Sequence, residues 1–165
     1  MLKKCTIVSL FLLFFAVAVS AKEKNFTFDF GRVGSVKIGM TEKQVQGILG
    51  KAESSEQYNC SNGEPAFWVT AKTYSKNSVS IMYVKKKGVL KVVGISSDSR
   101  SYKYQKIGVG NTKNDFKKTG FEEVECADSL YKEKKGSGSI FIYYSENGQI
   151  TGFTVYAEGF FCLEC

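Results

Sequence analysis

The chain reads as an α+β protein: two tandem units, each a helix followed by antiparallel strands, packed as one body around a curved sheet. Three observations predict this. Lys37-Ile38-Gly39-Met40-Thr41 introduces a short helical pattern, and Lys106-Ile107-Gly108-Val109-Gly110-Asn111-Thr112 introduces another. Downstream, Ile81, Tyr83, Gly88, Leu90, Val93 and Ile95 are matched at a constant spacing by Phe141, Tyr143, Gly148, Ile150, Phe153 and Val155. After each helical pattern the apolar period changes from that of a helix to two, the signature of strands.

The first 21 residues form an export signal in this reading. Lys3 and Lys4 make a basic start, Ile7 to Val19 an apolar core, and Val19-Ser20-Ala21 a small-residue cleavage site. The apolar run is short for a bilayer-crossing helix, so no membrane span is expected once it is removed. Cys5 precedes the apolar core rather than the cleavage point, which leaves no lipid-anchoring cysteine. The expected organisation is 1–21 signal, 22–98 first unit, 99–158 second unit and 159–165 a cysteine-bearing tail.

Asn25 to Phe30 alternates Phe26, Phe28 and Phe30 with polar residues, as a half-buried strand does. Thr41 is an N-cap, with Glu42 in the first turn where the helix dipole favours an acid. Val45, Ile48 and Leu49 then share one face, and Gly50 suits a left-handed stop. From Ala66 onward Phe67, Val69 and Ala71 alternate with Trp68, Thr70, Lys72 and Tyr74, and Gly88 turns the chain into Val89–Ser96. The second unit follows the same order: a strand at Tyr102 and Tyr104, a helix from Thr112 to Gly120, and strands on either side of Asn147-Gly148.

Ile38-Gly39-Met40-Thr41-Glu42-Lys43-Gln44-Val45, followed by Ile48-Leu49-Gly50, resembles a motif of two groups of exported bacterial proteins. One is the small lipoprotein of the outer-membrane β-barrel assembly machinery. The other is the β-lactamase inhibitory protein family, a tandem duplication of that unit and the better match. The resemblance implies helices packed on a curved antiparallel sheet whose open, aromatic face grips another protein. The departures are that Cys60 and Cys126 each stand alone in their unit, and that Gly110-Asn111 is inserted before Thr112. The motif also has a purely structural account: Gly39 relieves a tight turn, Thr41 caps, and the apolar residues are core.

The chemistry the sequence offers is sparse. With no histidine, Ser-His and Cys-His nucleophiles and imidazole metal ligands are excluded. Glu122, Glu123 and Glu125 form a solvated run, and Gly108-Val-Gly110 is too short for a phosphate loop. Removing Lys3 and Lys4 takes the formal charge from +7 to +5, with the lysines scattered; this is no nucleic-acid surface. No cofactor and no metal are expected. Asn25-Phe-Thr27 and Asn59-Cys-Ser61 match glycosylation acceptors, relevant only to a eukaryotic source.

Cys60, Cys126, Cys162 and Cys165 remain after cleavage, an even count that in an exported chain predicts disulfides, with three connectivities open. Cys126 is expected to bridge to a tail cysteine, because the tail follows the last strand of the same unit. Cys162-Leu-Glu-Cys165 also admits a redox role or, less naturally, a share in a zinc site. The chain ends where a pKa-lowering helix would have to follow.

The aromatics are the remaining signal. If Phe67, Val69 and Ala71 face the helices, then Trp68, Thr70, Lys72 and Tyr74 lie on the open sheet surface, where Trp and Tyr concentrate binding energy. The competing reading has Trp68 and Tyr74 closing the core between the two units. The functional expectation is a secreted or periplasmic, non-enzymatic module that binds another exported or envelope protein, as inhibitor, immunity-type protein or envelope-assembly accessory. The alternative is a thiol–disulfide redox protein using Cys162 and Cys165.

Overall fold

The computed structural model describes residues 26–60, 67–125 and 127–160. It corrects the fold class. The protein is predominantly β, with two short helices, rather than an α+β assembly of helix-plus-sheet units. The reason is local. Helix α1 (Glu42–Leu49) has eight residues and α2 (Lys113–Lys117) five, each too short to build a layer of its own.

The chain starts with β1 (Phe26–Asp29), β2 (Arg32–Val33) and β3 (Val36–Lys37). After α1 come β4 (Ser54–Cys60), β5 (Phe67–Tyr74), β6 (Val79–Lys86) and β7 (Val89–Ser97), with a 3-10 turn at Ser75–Asn77. Then β8 (Tyr102–Tyr104) and β9 (Ile107–Gly108) lead into α2. The last strands are β10 (Glu122–Glu123), β11 (Ser129–Lys134), β12 (Gly138–Tyr144) and β13 (Ile150–Tyr156). An eight-stranded antiparallel sheet runs β10-β11-β12-β13-β7-β6-β5-β4, and a small sheet runs β3-β2-β1-β8-β9, in which β1 and β8 are parallel.

Both helices and the small sheet lie on one face of the large sheet, and the core forms between them. Val45 of α1 and Phe116 of α2 are fully buried against Ile81, Tyr83, Ile95, Ile142 and Val155. Phe28 of the small sheet stacks on Phe153 with ring centroids 3.9 Å apart. Ile48, expected in this core, is instead exposed.

The helix starts explain why the two sequence motifs look alike. The Thr41 amide donates to the Gln44 side chain at 2.8 Å while its hydroxyl accepts from the Gln44 amide, a capping box. The Thr112 amide and hydroxyl both donate to the Asp115 carboxylate, at 3.1 and 2.9 Å. Each start is also tied to a distant strand. The Gly39 amide donates to Val92 and the Val92 amide to Met40; Gly110 and Asn111 form the same pair with Ile150.

The constant spacing, however, does not survive as a structural correspondence. The tie points match Val92 with Ile150, and the bulges fall at Met82/Tyr83 in one hairpin and Tyr143/Tyr144 in the other. Ile81, in register with Ile95, therefore corresponds to Ile142, in register with Phe153. Phe141, the partner of Ile81 at constant spacing, points to the opposite side of the sheet.

Candidate protein-binding face

The face of the large sheet turned away from the helices carries its own aromatic layer. Strand alternation and register place Tyr58, Val69, Ala71, Met82, Gly94, Tyr131, Phe141, Tyr143 and Tyr156 there. Phe141 sits 4.8 Å from Tyr131 and 5.8 Å from Tyr156, centroid to centroid. Phe141 and Tyr156 are buried beneath this layer; Tyr58, Met82, Tyr131 and Tyr143 are half-buried at its surface. Gly94 is the floor that makes room. A Cβ there would lie 3.0 Å from the Met82 sulfur and 3.2 Å from the Tyr156 ring.

Three tyrosines converge. Burial, with Tyr143 and Tyr58 close by and a hydrogen bond to Tyr143, holds the Tyr156 phenol well above the usual tyrosine range. Tyr58 is raised too, first by burial and then by Glu56 and Tyr143. Burial and the hydrogen bond donated to Glu133 at 2.9 Å push Tyr131 up to about 12. These phenols stay neutral at ordinary pH and present hydrogen-bonding tips on an apolar bed. Beside them runs a row of hydroxyls in direct register across five strands: Ser54, Thr73, Ser80, Ser96 and Thr154. Part of this row, with Asp98 and Tyr143, lines a shallow cleft of ≈ 520 Å³. Ser129, opposite Tyr143 in register, has a buried hydroxyl with no hydrogen-bond partner among the described residues.

The residues singled out in the sequence lie on the other face. Trp68, Thr70, Lys72 and Tyr74 share the helix side of β5, because Lys72 forms an ion pair with Glu42 of α1. Phe67, Val69 and Ala71 correspondingly face away from the helices, the reverse of the expected orientation. Tyr74 is a core residue, 1 % exposed, its hydroxyl 3.3 Å from that of Tyr83. Thr70 is buried and accepts a hydrogen bond from Gln57. Trp68 alone is open, at 66 % exposure. Period-two alternation separates the two faces of a strand without saying which one the helices cover.

Cys60 is fully buried, in register with Phe67, and disulfide-bonded. The expected partners Cys126, Cys162 and Cys165, the signal segment and Asn25 lie outside the described residues. Among the described residues no helix is long and apolar enough to cross a membrane, and no group of three or more acidic or cysteine side chains is placed to hold a metal ion.

No family model and no curated protein matches the chain. Among solved structures, the uncharacterized protein yfeY from Escherichia coli is similar, with a TM-score of 0.47 and 8 % identity over 80 % of this chain and 99 % of that one.

Proposed function

We propose that this is an exported, non-enzymatic module that binds another secreted or envelope protein, using the helix-free face of its large sheet. The observation that carries this reading is the half-buried aromatic surface of Tyr58, Met82, Tyr131 and Tyr143 on a face that no described helix or second sheet covers. Tyrosines of this kind offer large contact area at low entropic cost, with a polar tip for orientation. A folded domain leaves such a layer open when a partner completes it. Glu56, Glu122 and Glu133 border the face, and Lys86 and Lys91 lie on its β6 and β7 strands, so its rim carries both signs of charge.

The inhibitor-like resemblance of the Ile38–Gly50 motif points the same way, toward an open sheet surface that grips a protein, and supports nothing finer about the target. The signal-like first 21 residues support export. The test is affinity capture with mature protein, comparing wild type with Tyr58→Ala/Tyr143→Ala. A partner recovered by wild type and lost by the double variant, with unfolding unchanged, supports the reading. Equal recovery by both overturns it.

A further inference from the structure

A second surface, on the helix side and separated from the tyrosine layer by the sheet itself, carries the opposite chemistry. A groove of ≈ 810 Å³ runs between the start of α1, strands β4 and β5, and the β6–β7 hairpin. Its apolar part is Trp68, 66 % exposed, with Leu90, and Val89 lies at its rim. Lys87 and Gly88 both adopt positive φ, 49° and 81°, so a tight two-residue turn fixes the start of β7 and with it Leu90. The floor is tied down by the Gln57–Thr70 hydrogen bond.

The charge of this groove is one-sided. Lys43, Lys72 and Lys85 line it, and its one acidic residue, Glu42, is taken by Lys72. Lys43 and Lys85 have no ion-pair partner among the described residues. An exposed indole sharing a groove with two ammonium groups that form no ion pair among the described residues is matched by a ligand that alternates carboxylates with a bulky apolar side chain. We propose that this groove docks an acidic segment of a partner protein, with an apolar or aromatic side chain seated against Trp68 and Leu90 and carboxylates meeting Lys43 and Lys85. The site is independent of the tyrosine face.

Trp68 is the chain's single tryptophan, so its fluorescence reports the groove directly. The probe is an acetylated heptapeptide alternating glutamate with leucine and phenylalanine, titrated into mature protein. A saturable blue shift is expected. It should weaken on the order of tenfold in Lys43→Glu/Lys85→Glu and fall further as salt is raised. The Tyr58→Ala/Tyr143→Ala protein should give the wild-type titration, which separates this proposal from the function proposed above. No shift at millimolar peptide would overturn it. So would an equal response to the same peptide with lysine in place of glutamate, since that would mark apolar adhesion without charge selection.

Discussion

The two faces of the eight-stranded sheet are built from similar residues and do different work. On the helix side, Ile81, Ile95, Ile142, Phe153 and Val155 are sealed by Val45, Phe116 and Phe28 from three other elements. On the far side, Phe141 and Tyr156 are also buried, but beneath their own neighbours Met82, Tyr131 and Tyr143. The difference lies in the covering layer. One face is closed by backbone elements, whereas the other is closed only by its own side chains.

The largest effect should come from the sealed side. Phe153→Ala removes a fully buried ring stacked on Phe28 and should cost about 3–5 kcal/mol, read by chemical denaturation. Gly94→Ala should come next. It forces Met82 and the Tyr156 ring aside and should cost about 1–3 kcal/mol. Its signature would be altered near-ultraviolet dichroism, because it disorders the tyrosine layer rather than the core. Thr41→Ala should cost about 1 kcal/mol by removing the hydroxyl half of the capping box. Tyr143→Ala, at the half-buried surface, should cost still less in stability while weakening partner binding by about 2 kcal/mol or more.

Alkaline titration sharpens the same contrast. Burial raises Tyr83 and Tyr156 above the ordinary tyrosine range, so the folded state favours their neutral phenols. That contribution is fully present below the unfolded value, about pH 10, and is lost as pH rises through the folded value. Absorbance at alkaline pH should show exposed tyrosines ionising first and these two only as the protein unfolds, with stability falling above about pH 10.

Much of this architecture was legible in the residues. Thr41 as N-cap with Glu42 in the first turn and Asn147-Gly148 as a hairpin form as the chain chemistry dictates, and Gly50 ends the helix at positive φ, though with ψ −160° rather than that of a left-handed cap. Register was not legible, because the bulges are equivalent but the hairpin beyond them is shorter in the second unit, Tyr144 to Ile150 against Tyr83 to Val92, which sets Ile81 onto Ile142 rather than Phe141. Nor was the direction of β5. Both of its alternating series contain buried residues, Val69 and Ala71 on one side and Thr70 and Tyr74 on the other. The choice between them rests on one long-range ion pair, Lys72 with Glu42. Tyr131, Tyr143 and Tyr156 come from the successive strands β11, β12 and β13, but Tyr58 comes from β4, distant in sequence, and only the sheet brings it to the same face.

The tail gives a further test of arrangement. The Phe160 ring packs 5.4 Å from Phe67, directly across from Cys60. We therefore expect peptide mapping without reduction to link Cys60 to Cys162 or Cys165, in place of the Cys126 bridge that chain order alone favours. A Cys126–tail cystine would contradict this.

The central claim is that the helix-free face is where a partner binds. Hydroxyl-radical footprinting of the protein with its captured partner tests it most directly, since tyrosine and methionine side chains report their own exposure. The account predicts protection concentrated at Tyr58, Met82, Tyr131 and Tyr143, with Ile48 and Phe26 on the helix side as reactive as in the free protein. Protection of Ile48 and Phe26 with unchanged reactivity at the four face residues would contradict it.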